Sequence, residues 1–106
     1  GCLLTLPTEA EWEYSAEFSA AKHSAAPMEW GEVWEWTANT FLPYCCAVDQ
    51  FEMHPYLDYS KPWFHDRKVL KGGSWATSIH MKHPKYRNFF QPYRQDVLSG
   101  FRTCKL

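Results

Sequence analysis

Only one stretch of this sequence is written for the start of a helix: Pro7-Thr8-Glu9-Ala10-Glu11-Trp12. Thr8 can cap it, and Glu11 stands three residues later, as a capping box requires. Pro7 and Trp12 can close a hydrophobic staple across that cap. The acids of the first turns suit the positive end of the helix dipole. Ala10, Tyr14 and Phe18 fall on one face of a helix expected over about residues 9–21. Residues 23–29 read as a loop. Val33-Trp34-Glu35-Trp36-Thr37 alternates like a short strand, with Trp34 and Trp36 on one face and Glu35 on the other. Residues 39–64 form a long irregular stretch holding Pro43, Pro55 and Pro62, and such a loop inside a compact domain is usually functional. Lys68-Val69-Leu70-Lys71 is a strand candidate ended by Gly72-Gly73. Residues 86–90 form a further extended candidate, and residues 100–104 a closing strand. The expectation is an α+β fold with one clear helix, short strands and much ordered loop.

A fold with so few ladders needs other anchors. The chain has 6 Trp, 6 Tyr and 7 Phe among 106 residues. Each ring buries a large area and can fasten a loop. A ligand-stacking platform is the other use for them. The length allows one domain. A hydrophobic share of 45% excludes a disordered tail. No apolar run is long enough for a transmembrane span, so no membrane partner is expected. A net charge of -1 argues against a free-standing nucleic-acid binder. The first residues carry no secretion signal and no initiator Met, and the chain reads as a piece of something longer. Four cysteines (Cys2, Cys45, Cys46 and Cys104) include an adjacent pair and no CxxC, so reduced thiols in a cytoplasmic protein are expected.

Charge is split along the chain. Residues 1–53 hold nine acids and the single base Lys22, whereas residues 54–106 hold ten bases and three acids. Either the halves attract each other within one fold, or the basic half lines a site for an anionic ligand. His80 and His83 are three apart and give only a weak metal pattern. Glu32 and Glu35 are candidates for a hard cation such as calcium, or one of them pairs with an Arg of the second half. Tyr44, Tyr56 and Tyr59 lie in the long loop, where a phenol can donate a proton or an electron. The segment from Tyr86 to Arg94 mixes bidentate donors, an amide and rings, which suits a planar or carboxylate-bearing ligand. There is no GxSxG, P-loop or GxGxxG pattern.

Four strings together resemble the formylglycine-generating, sulfatase-modifying-factor domain family: Leu6-Pro7-Thr8-Glu9-Ala10-Glu11-Trp12-Glu13-Tyr14, Gly31-Glu32-Val33-Trp34-Glu35-Trp36-Thr37, Val69-Leu70-Lys71-Gly72-Gly73-Ser74-Trp75 and Gly100-Phe101-Arg102. They stand in the family's order and span nearly the whole chain. The resemblance implies a C-type-lectin-like fold, with the family's N-terminal strands before Gly1 and residues 1–106 as the C-terminal portion of the domain. True formylglycine-generating enzymes carry two cysteines in the segment matching residues 83–88, and this chain has none there. The chain is more similar to the C-terminal domain of ergothioneine-biosynthesis sulfoxide synthases. Phe41-Leu42-Pro43-Tyr44, Pro55-Tyr56-Leu57-Asp58-Tyr59-Ser60, Gly72-Gly73-Ser74-Trp75-Ala76-Thr77 and Arg87-Asn88-Phe89 match that branch.

That resemblance implies a non-haem iron enzyme that joins a cysteine-containing thiol to trimethylhistidine with dioxygen. The iron(II) is expected on three histidines of a separate N-terminal DinB-like domain, outside this chain. Tyr56 is the candidate catalytic tyrosine and Tyr44 the second choice. Asn88 and Phe89 match positions that contact trimethylhistidine. Arg87 and Arg94 match positions near the thiol substrate's carboxylates. Phe90 stands where some members have Asp, which leaves the thiol open. The formylglycine branch binds calcium near the string holding Glu32 and Glu35. A lectin-like binding module without catalysis is the alternative.

Overall fold

The helix begins where its capping residues put it. In the computed structural model, which describes residues 3–22, 28–44 and 63–105, helix α1 spans Glu9–Lys22. The Thr8 amide donates to Glu11 Oε1 at 3.0 Å, and the Glu11 amide donates to Thr8 Oγ1 at 3.1 Å, completing the reciprocal box. Holding the Thr8 amide also keeps the Glu11 carboxyl below its ordinary range. The face turned inward differs from the aromatic one. Trp12 and Ala16 are buried together with Glu9, whereas Tyr14 and Phe18 stack on each other in solvent with ring centroids 5.7 Å apart. Helical spacing groups residues on a face but does not say which face meets the sheet.

The strands are short: β1 (Leu4–Thr5), β2 (Trp34–Thr40), β3 (Lys68–Lys71), β4 (Asn88–Phe90), β5 (Ser99–Gly100) and β6 (Cys104–Lys105). A 3₁₀ turn at Ile79–Met81 lies between β3 and β4. The expected closing strand is therefore split in two around residues 101–103. Four strands form a mixed sheet in the order β4-β3-β2-β5, with β2–β5 parallel and the other pairs antiparallel. β1 and β6 pair separately. One helix against a curled mixed sheet makes the fold α+β.

The sheet is covered on both sides. Val69 and Leu70 are adjacent, so they point to opposite faces, and both are buried. Helix α1 packs over β2 and β3. Phe41, Phe64 and Val69 form a cluster joined by Leu42 and Phe89, with Phe41 and Phe89 stacked at 4.3 Å. Burial of both faces explains why Glu35 and Thr37 are buried alongside Trp34, against the simple alternation of the sequence.

Gly72 shows how closely α1 approaches. Its φ is +99°, and a Cβ there would lie 3.1 Å from Trp12 Cζ2. Gly72→Ala combines a left-handed backbone with a collision against a buried ring. We expect it to cost about 2 kcal/mol. Equilibrium denaturation checks this, and a loss below about 0.5 kcal/mol would contradict it.

Candidate substrate-facing site

The split of charge along the sequence is resolved by three acid–base pairs that join the two halves. Glu9 pairs with Arg87, Glu13 with Lys71, and Glu35 with Arg102. Each links an acid of residues 1–53 to a base of residues 54–106. Mutual attraction of the halves thus accounts for these three bases.

Arg87 is the centre of the first group. It precedes β4, which pairs with β3 in the register Lys68↔Phe90, Val69↔Phe89 and Leu70↔Asn88, and it meets the start of α1 at Glu9. Its Nη2 donates to Glu9 Oε2 at 3.0 Å and to the Leu42 carbonyl at 2.8 Å. Its Nε lies 2.9 Å from Glu9 Oε1, near enough for an ion pair, but the N–H is not aligned into a hydrogen bond. The guanidinium covers the Phe41 ring at 4.7 Å and the Tyr44 ring at 4.1 Å. The Tyr44 hydroxyl donates to Glu9 Oε1. Tyr44 is largely exposed, yet its phenol sits on a buried carboxylate. Burial of the phenol raises its pKa, and the Glu9 bond adds to the rise, while Arg87 opposes it.

Lys71 extends this polar layer. It is 0% exposed, and its Nζ donates to the Pro84 carbonyl at 3.1 Å and to Glu13 Oε2 at 3.4 Å. Burial lowers its pKa, and Glu13 and Glu9 oppose that shift.

The structure brings Tyr44, Arg87, Asn88 and Phe89 to one region. Phe89 joins Arg87 through Phe41, which it stacks on. Asn88 Oδ1 accepts from the Phe89 amide at 2.8 Å. Arg94 stands apart from that layer in solvent. It makes a bidentate pair with Asp96 at 2.6 and 2.7 Å and lies over the Phe90 ring at 5.3 Å. Those hydrogen bonds raise the Arg94 pKa and lower that of Asp96. Tyr56 and Tyr59 lie outside the described residues. Glu9 and the Leu42 carbonyl were not among the sequence candidates. The acidic first half was the signal for Glu9, but spacing did not tie it to Arg87.

Glu35 and Glu32 border a separate cleft of about 670 Å3 with Trp30, Phe101 and Arg102. Both Glu35 oxygens are taken. Oε1 accepts from Trp12 Nε1 at 3.0 Å and from Arg102 Nε, and Oε2 accepts from Arg102 Nη2 at 3.0 Å. Glu32 is exposed. His83 Nδ1 accepts the Lys85 amide at 3.1 Å. Among the described residues, no three His, Cys, Asp or Glu side chains are placed to hold a metal ion, so these residues do not by themselves fit iron. No described helix is long and apolar enough to cross a membrane.

The family model of the sulfatase-modifying factor enzyme 1-like domain matches residues 17–105. The chain belongs to this family. Among curated proteins it is similar to the hercynine oxygenase of Mycobacterium tuberculosis, with 39% identity over 75 residues, covering 70% of this chain and 17% of that protein. The hercynine oxygenase of Mycolicibacterium smegmatis is 38% identical over 79 residues, covering 70% of the chain and 18% of the relative. That of Mycolicibacterium thermoresistibile is 35% identical over 79 residues, again covering 70% of the chain and 17% of the relative. The chain thus spans less than a fifth of the length of these relatives.

Proposed function

We propose that residues 1–106 are the substrate-facing C-terminal portion of a C-type-lectin-like, sulfatase-modifying-factor domain in a non-haem iron sulfoxide synthase. The reaction would join a cysteine-containing thiol to hercynine (trimethylhistidine). The observation that carries this reading is the 35–39% identity to three hercynine oxygenases over 70% of the chain. Iron(II), bound by the histidines of an N-terminal DinB-like domain, would supply dioxygen activation, and a cytoplasmic location follows from the same reading. The balance is simple: thiol and imidazole each lose one hydrogen, a C–S bond forms, and dioxygen yields the sulfoxide oxygen and one water.

This chain's own residues would bind and orient. Phe89 presents a half-buried ring suited to a quaternary ammonium, and the amide of Asn88 stands beside it. Arg94 can exchange exposed Asp96 for a substrate carboxylate. Arg87 would stand near the thiol's carboxylates, with its Nη2 already held by Glu9 and the Leu42 carbonyl. Tyr56 would move the proton, with Tyr44 as second choice. Glu35, one of the two calcium candidates with Glu32, already spends both carboxylate oxygens on Trp12 and Arg102, so calcium is left out of this reading.

The test is direct. The full-length protein, loaded with iron(II), is given hercynine, cysteine or a cysteine-containing peptide, and dioxygen. Mass spectrometry should show a sulfoxide one oxygen heavier than the thioether. Hercynine binding without product would favour the non-catalytic binding module. Neither binding nor product would overturn the reading.

A further inference from the structure

We infer that Glu9 is a positioning residue for the substrate-facing strand: its carboxylate, through Arg87 and Tyr44, locks residues 41–44 against the start of β4. The role in substrate binding rests on the proposed function above, whereas the lock itself does not.

The geometry is that of a hub. Glu9 is 5% exposed and occupies the first turn of α1. Its amide donates to Asn39 Oδ1 at 2.7 Å. Its carboxylate takes Arg87 Nη2 and the Tyr44 hydroxyl. Arg87 in turn holds the Leu42 carbonyl and lies over Phe41 and Tyr44. One residue therefore ties together the end of β2 through its amide, and the segment after it and a residue 78 positions away through its carboxylate. The next residues are Asn88 and Phe89, so any drift of Arg87 is passed to them by one and two peptide bonds.

A charged pair is a poor choice for stability alone, because an apolar pair of similar volume packs as well or better. Its distinctive property is direction. The planar guanidinium fork meets a carboxylate in a few geometries only. Here the guanidinium also lies over two rings, Phe41 and Tyr44, which add to the hold on it. Glu13, one turn further along α1, is engaged with Lys71 at 3.4 Å and serves as the natural comparison. It is a similar pair on the same helix, but it does not touch Arg87 in any contact described above.

The test uses the full-length protein with Glu9→Gln and Glu13→Gln. Hydrogen exchange reads the lock without any ligand. In Glu9→Gln, amides of Phe41, Leu42, Tyr44 and residues 87–89 should exchange about tenfold faster or more, with β2–β3 amides still protected. Glu13→Gln should leave both segments unchanged. Hercynine binding by calorimetry reads the consequence. Kd should rise about tenfold in Glu9→Gln, with turnover at saturating hercynine within about threefold of the unaltered protein. Unchanged exchange at the two segments would overturn the inference, whatever hercynine does. So would equal loosening in Glu13→Gln. Faster exchange in a protein that binds no hercynine would sustain the lock and sink the functional reading instead. Should Glu9→Gln fail to fold, Arg87→Lys keeps the charge, loses the fork and reports on the same segments.

Discussion

Glu35→Ala is expected to destabilise the domain by about 3 kcal/mol. Glu35 is 6% exposed and stands on β2, at the centre of the sheet. Its carboxylate is the hydrogen-bond acceptor for Trp12 Nε1, and Trp12 is 1% exposed. It is also the counter-ion of Arg102, whose Nη2 reaches on to the Glu29 carbonyl at 2.6 Å. Truncation orphans a buried indole N–H, which alone costs about 1–3 kcal/mol. It also removes the partner of a guanidinium that is only partly able to rehydrate. Its side chain is 38% exposed, so that share is discounted toward the lower end of the range for buried pairs. The thermal midpoint should fall by more than about 10 °C. Glu35→Gln, which keeps an acceptor for Trp12, should cost about half as much. A midpoint for Glu35→Ala within about 3 °C of the unaltered protein would refute this account. Since both Glu35 oxygens are already engaged, added calcium should leave the midpoint of the unaltered protein where it is.

The second large effect is on turnover. In the full-length protein, Tyr56→Phe should lower turnover about 100-fold or more with little change in hercynine affinity, as expected when a proton donor is removed. Tyr44→Phe should leave turnover within about fivefold. The contrast rests on the surroundings of Tyr44. Its hydroxyl is spent on Glu9, and burial with that bond raises its pKa above the ordinary phenol value. A phenol held so firmly to its proton, by a carboxylate that accepts it, is a poor donor to a substrate. Tyr56 is chosen on its motif position. Steady-state kinetics on both variants, with circular dichroism to confirm folding, decide the matter. Equal turnover in Tyr56→Phe and the unaltered protein would end its candidacy, and a loss confined to Tyr44→Phe would transfer the role.

The candidate site was partly legible. Arg87, Asn88 and Phe89 were found from a short string, and Tyr44 from another 43 positions earlier, and the fold brings these strings together. What spacing did not disclose is that Arg87 is gripped by Glu9. The glycine pair after Lys71 marked the end of β3, but it did not foretell that Lys71 is wholly buried. The amphipathic reading of α1 grouped Tyr14 with Phe18 correctly, yet the structure turns that pair to solvent and buries Trp12, Ala16 and a glutamate.

The sequence by itself determined the local features: the capped start of α1, the strand at Lys68–Lys71 and the family to which the motifs point. The cap depends on an interaction three residues apart, the strand on a short apolar pair stopped by Gly72-Gly73, and the family on motifs in order along the chain, all of which a linear pattern contains. Only the tertiary structure decided which acid meets which base. Glu9 meets Arg87 across 78 positions and Glu35 meets Arg102 across 67. Such pairs form because the sheet order places β3 between β2 and β4, and β5 beside β2, under a single helix. Charge composition made their existence expected. Their partners were set by desolvation, since a carboxylate covered by helix and sheet must take whichever cation the fold delivers to it.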